Sequence, residues 1–470
     1  MSAAFGWSKV VRLGLVQASL GAVVVMTTST LNRVMVVELA LPALLPGLLV
    51  AMHYLVQVVR PRMGHGSDVG GRRTPWIVGG MAVLACGGVL AALATAWMGS
   101  DRAAGIALAV LAFGLIGIGV SASGTSLLVL LAKRVEPSRR AAAATVVWLM
   151  MIAGFALTAG LAGKLLDPYT PLRLVVVMAG VALIALGVTL LATYRLEGTS
   201  PTVAADAAGD STEAGSAAAV RSSTRLATSM PASKPTFRVA LAQVWDEPVA
   251  RRFTIFVFIS MLAYSAQDLI LEPFAGTVFG YTPGQSTSLS GVQHGGVLLG
   301  MLAAALAGRG AGGGRFGSLR AWQVGGCLLS AAMLLGLAFA GFVGPAWPFK
   351  ATVFALGAAN GAFSIAAIGS MMRLANEGRH AREGVRMGLW GAAQAVAFGL
   401  GGLVGTAASD LARWLIGSPG IAYATVFAFE AALFVVAAAL AARLEGRSSE
   451  AAVRPAASAT DRRFAHGQAA

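Results

Sequence analysis

An amide and two carboxylates interrupt the apolar stretch AYSAQDLILEPFAG, residues 263–276. Gln267, Asp268 and Glu272 can hydrogen-bond or ligate a metal ion, and the two carboxylates can also exchange a proton. Asp268 and Glu272 are four residues apart, so a helix places both on one face, and Pro273 is expected to kink or end that helix. Ionisable groups inside a membrane are costly and usually mark a functional site. The alternative is that all three side chains lie in the headgroup region and are simply solvated.

Two histidines lie in similarly apolar surroundings. His53, in VAMHYLVQVV, is followed four residues later by Gln57 on the same helical face, and His294 lies in SGVQHGGVLLG. A neutral imidazole inside a bilayer can bond a neighbouring helix, relay a proton or ligate a metal ion. A hydrogen bond between helices is the most common of these roles. No spacing of Cys, His and Asp residues indicates a metal site built from protein ligands alone.

The composition is typical of an integral membrane protein. Of the 470 residues, 57% are hydrophobic and 12% are charged, and the mean hydropathy is +0.74, outside the range of soluble domains. Lys and Arg outnumber Asp and Glu by 35 to 20. Membrane proteins collect basic residues in their cytoplasmic loops, so this excess does not indicate a nucleic-acid partner.

Apolar windows of about 20 residues, the length that crosses about 30 Å of hydrocarbon, recur along the chain. They predict an all-α integral membrane protein with 12 transmembrane helices in two six-helix halves, residues 1–196 and 251–443. The composition of residues 197–250 predicts a partly disordered cytoplasmic linker, and that of residues 444–470 a disordered cytoplasmic tail. Most Lys and Arg residues fall in one set of alternate loops, so the positive-inside rule places both termini in the cytoplasm.

Glycine residues recur at a spacing of four inside several of these windows. Small residues at this spacing let two helix backbones approach closely, which predicts tight helix packing. The same glycines could also leave flat space for a large planar ligand. The pairs are Gly296 and Gly300, Gly357 and Gly361, and Gly401 and Gly405.

The loop after the second window carries five residues at a recognisable spacing. GHGSDVGGRR matches the pattern G-x-x-x-D-x-x-G-R-[KR] of the major facilitator superfamily, at the loop where that superfamily carries it. Glycine permits a tight turn, and an aspartate at a helix end can pair with arginines, so the loop is expected to latch one state of a two-state protein. The alternative is a basic turn that follows the positive-inside rule. The matching residues are Gly64, Asp68, Gly71, Arg72 and Arg73.

The end of the first window carries a second polar group. TSTLNRVMVVEL contains Asn32, Arg33 and Glu38. Their depth resembles that of Asp268 and Glu272, and both groups are expected near the periplasmic ends of their helices. In a two-fold arrangement of halves these helix ends would face each other. We therefore predict a polar pair between the halves, with Arg33 bonded to Asp268 or Glu272, unless all of these side chains lie among headgroups.

Four longer phrases resemble the PucC family, also called the bacteriochlorophyll delivery branch of the major facilitator superfamily. They are TLNRVMVVELALPA, SGTSLLVLLAKRVEPSRRAAAATVVWLM, QDLILEPFAGTVFG and MMRLANEGRHAREGVRMGLWGAAQAVAFGLGGLVG. The resemblance covers both halves and implies the major facilitator fold. It also implies a role in assembling light-harvesting or reaction-centre complexes by binding and handing over (bacterio)chlorophyll. The compact loop after the second window resembles the branch of the family that is tied to pigment synthesis.

The resemblance turns the polar side chains into candidate pigment ligands, because the magnesium of a chlorin accepts an axial imidazole, amide or carboxylate. The candidates are His53, Gln57, Gln267, Asp268, Glu272 and His294.

The leading expectation is a pigment-binding assembly factor in the bacterial inner, intracytoplasmic membrane. Its expected partners are light-harvesting or reaction-centre apoproteins, or enzymes of pigment synthesis. The alternatives are a proton-coupled transporter of a small solute, titrating at Asp268 or Glu272, and a scaffold that transports nothing. Charge is sparse near the predicted midplane, which argues against the transporter. No catalytic motif occurs with the flanking structure it needs, so an enzyme is not expected.

Overall fold

The computed structural model describes residues 5–57, 72–197, 237–307, 318–377 and 383–444, and every regular element in these ranges is a helix. Twelve helices are numbered here in chain order, and a short one, Phe237–Asp246, is called the linker helix. The twelve are α1 (Trp7–Glu38), α2 (Leu44–Val56), α3 (Thr74–Trp97), α4 (Arg102–Arg134), α5 (Arg140–Leu166), α6 (Pro171–Thr193), α7 (Pro248–Phe279), α8 (Pro283–Ala307), α9 (Leu319–Val343), α10 (Phe349–Glu377), α11 (Glu383–Ile416) and α12 (Pro419–Ala442).

Eleven of the numbered helices are long and apolar enough to cross a membrane, counted over the described residues. The exception, α2, has 13 residues, fewer than the roughly 20 that a span needs. The predicted class, an all-α protein with many membrane-spanning helices, is confirmed. Most of the predicted linker, residues 198–236, and nearly all of the predicted tail, residues 445–470, lie outside the described residues.

The described residues fall into two compact units. The first lies within residues 1–245 and also includes residues 280–291, whereas the second lies within residues 246–279 and 292–470. The sequence assigns residues 280–291 to the second half, but the start of α8 packs against α5 through glycines. A Cβ atom on Gly163 would lie 2.5 Å from the Gly284 carbonyl oxygen. Only residues without a side chain permit such an approach.

The glycine pairs pack helices together within the second unit. A Cβ atom on Gly401 would lie 2.5 Å from the carbonyl oxygen of Leu262, and one on Gly405 would lie 2.7 Å from that of Ala266. The same holds between α8 and α10, where a Cβ atom on any glycine of the pairs 296/300 and 357/361 would overlap backbone of the other helix. The prediction of tight packing is confirmed. Backbone of a neighbouring helix therefore occupies the space that a planar ligand would need at these positions.

Two helices depart from a regular α-helix near their ends. α1 runs to Glu38 through two π-helical segments, Met26–Leu31 and Val34–Glu38. The sequence predicts that Pro273 kinks or ends α7; the helix runs through this proline to Phe279, so an end is wrong, and a kink stays a prediction. Proline removes one helical hydrogen bond, a loss that membrane helices tolerate when neighbouring groups compensate. Functional sites often lie at π-helical turns, so the end of α1 remains of interest.

Candidate functional site

The polar segment of α7 lies inside the second unit rather than at a solvated end. Gln267 has no exposed surface, Glu272 is 3% exposed, and Asp268 is partly buried. Because α7 continues to Phe279, Asp268 lies eleven residues before the helix end, about 16 Å along the axis. The prediction that these residues lie near the periplasmic side of the membrane stays a prediction, whereas the burial of Gln267 and Glu272 contradicts the alternative that all three side chains are simply solvated.

Asp268 has a hydrogen-bond partner from the next helix. The side-chain nitrogen of Gln293, on α8, donates to Asp268 Oδ1 over 3.3 Å. Gln293 is itself 4% exposed, so the bond joins two helices within the interior of the unit. His294 follows Gln293 directly and is also buried, at 9% exposure. The candidate ligands on α7 and α8 therefore belong to neighbouring parts of one unit.

The buried Gln267 side chain makes no hydrogen bond within the described residues. Neither its amide oxygen nor its amide nitrogen has a hydrogen-bond partner among the described residues. A buried polar group without a partner costs free energy, of the order of 1–3 kcal/mol, and such groups are rare in native proteins. A bound molecule that supplies the missing partner is the functional explanation.

An aromatic group fixes the register of three helices beside this segment. Phe274 of α7 packs edge-on against Tyr423 and Phe427 of α12, with ring centroids 5.4 and 5.1 Å apart. Phe279 stacks on Phe349 of α10 at 4.2 Å. The end of α7 and the starts of α10 and α12 therefore lie together at one side of the unit.

Glu430 is a site residue that the sequence analysis missed. It lies near the middle of α12, is 1% exposed, and neither of its carboxylate oxygens has a hydrogen-bond partner among the described residues. It shares a face of α12 with Tyr423 and Phe427, whose rings pack against Phe274 of α7, so its side chain is directed towards the helix that carries Asp268. Glu430 adds one acid to the few charges expected in the middle of the predicted spans. A lone acid inside the apolar run AYATVFAFEAALFVV was the signal that could have found it.

His53 and Gln57 meet in the first unit, as their spacing predicts. The side-chain nitrogen of Gln57 lies 2.7 Å from His53 Nε2, and both side chains are buried. The backbone of α4 packs tightly at this turn, because a Cβ atom on Gly117 would lie 2.8 Å from the His53 carbonyl oxygen. One imidazole nitrogen of His53 is therefore already engaged within α2.

The polar end of α1 is built around Arg33. Arg33 is 2% exposed; its Nη1 pairs with Glu38 Oε1 at 2.5 Å and its Nη2 donates to the Tyr281 carbonyl oxygen at 2.6 Å. Asn32 is buried beside it. Burial and the Glu38 carboxylate raise the pKa of the Tyr169 phenol, and Arg33 lowers it, so Tyr169 belongs to the same group. These contacts all lie within the first unit, and the predicted bond from Arg33 to Asp268 or Glu272 stays a prediction.

Of the superfamily loop motif, the structure describes the two arginines, whereas Gly64, Asp68 and Gly71 lie outside the described residues. Glu197 caps the start of α3 at this loop. Its carboxylate accepts the backbone N–H groups of Arg73 and Thr74 and the Thr74 hydroxyl, over 2.9 to 3.0 Å. Such a cap satisfies free N–H groups and complements the helix dipole. The predicted latch through Asp68 stays a prediction.

Arg386, in the last of the four segments that resemble the family, forms an ion pair with Glu247. Arg386 of α11 is 1% exposed, and its Nη2 donates to both carboxylate oxygens of Glu247 over 2.8 and 2.6 Å. Glu247 lies between the linker helix and α7. The pair therefore fixes the entry of the chain into the second unit. Among the described residues, no group of three or more His, Cys, Asp or Glu side chains is arranged to hold a metal ion.

Comparison with other proteins places these features in a family. The model of the family described as PUCC protein matches residues 30–449. "Bacteriochlorophyll synthase 44.5 kDa chain" of Rhodobacter capsulatus is 50% identical over 437 residues, which cover 93% of this chain and 95% of that protein. "Protein PucC" of the same organism is 29% identical over 456 residues, with coverage of 93% and 92%.

Solved structures with the same architecture are transporters of the major facilitator superfamily. A bacterial homologue of the human lysosomal transporter Spinster has a TM-score of 0.64 at 15% identity, with 93% of this chain and 96% of that chain covered. A D-xylose–proton symporter has a TM-score of 0.63 at 14% identity, with coverage of 93% and 97%. Identities this low bear on the fold alone, and the predicted major facilitator fold is confirmed.

Proposed function

The chain belongs to the PUCC protein family, and from that premise we propose that it binds (bacterio)chlorophyll in the membrane and hands it to other proteins. It is a multi-pass membrane protein of a family whose relatives carry photosynthetic names. The name of the 50% identical relative supplies the class of ligand, bacteriochlorophyll. The proposal extends that class to this chain.

One structural observation carries the proposal: the buried amide of Gln267 has no partner among the described residues. When bound, a chlorin supplies a central magnesium ion that accepts one further ligand, and an amide oxygen is a suitable one. Gln267 would supply that oxygen, and its amide N–H groups would remain free to donate to a carbonyl group of the pigment. An unpaired buried amide lowers stability, so an apolar residue would be the more stable choice at this position. A ligand role accounts for the presence of glutamine there.

The other candidate ligands differ in how well they suit this role. His294 lies beside Gln293 on α8 and offers an imidazole within the same unit as Gln267. His53 is less suitable, because Gln57 already bonds its Nε2 atom. Asp268 accepts a hydrogen bond from Gln293 and interacts with the charge of Glu430, so it is engaged within the protein. We therefore rank Gln267 first and His294 second.

The proposal also covers the membrane in which the protein acts and the proteins that receive the pigment. The protein acts in the bacterial inner, intracytoplasmic membrane with both termini in the cytoplasm, and the pigment leaves it chemically unchanged. Its clients are light-harvesting or reaction-centre apoproteins, or enzymes of pigment synthesis. The name of the 50% identical relative favours the enzymes of pigment synthesis.

An absorption spectrum tests the proposal directly. The full chain is purified in mild detergent from a pigment-synthesising host and from an otherwise identical host that makes no pigment. A stoichiometric red or near-infrared chlorin band in the first preparation alone supports pigment carriage. A colourless protein that is folded and monodisperse from both hosts contradicts it.

A proton-coupled transporter of a small solute is the second candidate. One observation favours it: Glu430 is buried near the middle of α12 and interacts with Asp268. Carboxylates at such depths mark proton paths in transporters. Solute uptake into proteoliposomes that depends on a pH gradient, and that Asp268→Asn abolishes, would support this candidate over pigment carriage.

A further inference from the structure

Four polar side chains of the second unit, those of Asp268, Gln293, Asn360 and Glu430, lie at one depth and form a layer. Asp268 lies eleven residues from the α7 end, and Gln293 lies ten residues from the α8 start. Asn360 and Glu430 each lie eleven residues from the starts of α10 and α12. Phe279, Phe349 and Tyr423 bring these ends of α7, α10 and α12 together, and a three-residue turn joins α7 to α8. At 1.5 Å per residue, all four side chains therefore lie about 15–17 Å along their helices from these adjoining ends.

One aromatic contact joins α10 to α12 near Asn360 and Glu430. Phe363 lies one turn after Asn360, and Phe434 lies one turn after Glu430. The rings of Phe363 and Phe434 pack edge-on at 5.5 Å. Residues three or four apart share a helix face, so each polar side chain lies about one turn from this contact.

The side-chain amide N–H of Asn360 is a hydrogen-bond donor without an acceptor among the described residues. Its Oδ1 atom accepts a hydrogen bond from the Ser330 hydroxyl over 2.8 Å, and the residue has no exposed surface. Its Nδ2 atom has no partner among the described residues. Asn360 and Glu430 thus each keep a buried polar atom without a partner among the described residues, which indicates that the layer is built around a further group.

The layer holds two carboxylates and, within the described residues, no cation that bonds to either. Two negative charges that interact inside a low-dielectric interior cannot both persist without compensation, as in paired carboxylates that share a proton. We propose that Asp268 and Glu430 together bind one proton inside the second unit, with the amides of Gln293 and Asn360 as hydrogen-bond donors to the remaining charge. This site is independent of whether the chain carries pigment.

The donors in the layer distinguish a proton from a metal ion. The Gln293 nitrogen points its N–H at Asp268, and Asn360 presents its own nitrogen. Amide N–H groups stabilise a carboxylate, but they repel a cation, which needs oxygen ligands. The described residues also supply no group of three His, Cys, Asp or Glu side chains for a metal ion. A proton therefore fits the layer, whereas a metal ion does not.

Apart from His294, the other titratable groups on the helices around α12 lie at other heights. Glu272 of α7 lies one turn nearer the aromatic group, and Cys327 of α9 lies nearer the opposite side. Tyr264 of α7 lies one turn from Asp268 on the side away from the aromatic group, and His294 of α8 lies beside Gln293 at the depth of the layer. The remaining described groups on the helices around α12 lie within about two turns of the helix ends, and they are Arg320 on α9, Lys350 and Arg373 on α10, Arg386, Asp410 and Arg413 on α11, Tyr423 on α12, and Arg251 and Arg252 on α7. Asp268 is the group whose charge acts on Glu430.

Infrared spectroscopy of the purified full chain tests the proposal. A protonated carboxylic acid has a C=O stretching band that ionised carboxylates lack and that shifts in D2O. We expect such a band at neutral pH, and we expect the double variant Asp268→Asn with Glu430→Gln to remove it, because either single variant leaves one buried carboxyl group that can keep the proton. Glu136→Gln, in an exposed loop, is the matched control and should leave the band unchanged. A wild-type spectrum without the band, or a band that survives in the double variant, overturns the proposal.

Thermal stability gives a second readout with a definite sign. Carboxyl groups of the unfolded chain are ionised above about pH 5, so the folded protein would hold one proton more than the unfolded chain. Stability then falls as pH rises, with the unfolding equilibrium shifting up to about tenfold per pH unit until the proton leaves. The double variant Asp268→Asn with Glu430→Gln should flatten this dependence. If a variant fails to fold, the wild-type band still decides, because its absence throughout the range from pH 6 to 9 overturns the proposal.

Discussion

Gln293 donates a hydrogen bond to Asp268, and this bond joins α8 to α7 inside the second unit. The donor comes from a residue that the sequence analysis passed over, 25 positions along the chain. The bond is long, at 3.3 Å, but Gln293 is buried and Asp268 is partly buried, so its loss leaves a poorly solvated carboxyl oxygen without a donor.

Gln293→Leu should therefore lower the free energy of unfolding by about 1–3 kcal/mol. The control is a double-mutant cycle with Asp268→Leu, because the double variant no longer strands a polar group. We expect the double variant to be more stable than the sum of the two single changes implies, by at least about 0.5 kcal/mol. The measurement is denaturant unfolding of the detergent-solubilised protein. Additive changes would contradict a direct interaction.

Gln267→Met should separate function from stability. The change replaces an unpartnered buried amide by an apolar chain of similar shape, so the free energy of unfolding of the pigment-free protein should stay the same or rise by about 1 kcal/mol. The same variant from a pigment-synthesising host should retain less pigment per chain than the wild type, because the proposed ligand oxygen is gone.

Gln323→Met is the matched control for that experiment. Gln323 is equally buried, but its nitrogen donates to the Ala366 carbonyl oxygen and the Ser370 hydroxyl. We expect this variant to lose about 1–3 kcal/mol of stability while keeping the bound pigment. If Gln267→Met lowers stability and leaves pigment binding unchanged, Gln267 has a structural role and the proposed ligand is wrong.

The sequence could predict where polar groups interrupt apolar helices, because a charge or an amide in such a run stands out by its cost. Gln267, Asp268 and the pair of His53 and Gln57 were found in this way. Their partners could not be predicted when they came from other helices, because side-chain neighbours across helices depend on packing. Gln293 is such a partner.

The end of α1 shows a second limit of sequence patterns. Arg33 and Glu38 are five residues apart, a spacing that does not bring side chains together in a regular α-helix. The chain is π-helical from Val34 to Glu38, and a π-helix bonds residues five apart. The pairing therefore follows from a local departure from the period on which the sequence analysis relied.

His294→Ala and His53→Ala should have different effects. His294→Ala is expected to lower the pigment retained by the purified protein, because this imidazole is the second-ranked ligand. His53→Ala should keep the pigment and lower the melting temperature, because it removes the buried hydrogen bond between the imidazole and the Gln57 amide. Gln57→Ala is the control, since it breaks the same bond from the other side. Loss of pigment from His53→Ala together with retention in Gln57→Ala would make His53 a ligand instead.

Charge reversal decides which acid balances Arg33. Arg33→Glu places two acids together at a half-buried site, and Glu38→Arg places two arginines there, so each single change should lower the melting temperature. The double change Arg33→Glu with Glu38→Arg should restore part of the loss, although not all, because the bond to the Tyr281 carbonyl oxygen is not rebuilt. The competing prediction, a pair between the halves, requires rescue by Arg33→Glu with Glu272→Arg instead. Rescue by the Glu38 swap alone would establish the pair within α1. Rescue by the Glu272 swap alone would show that Arg33 closes the contact between the halves in the working protein.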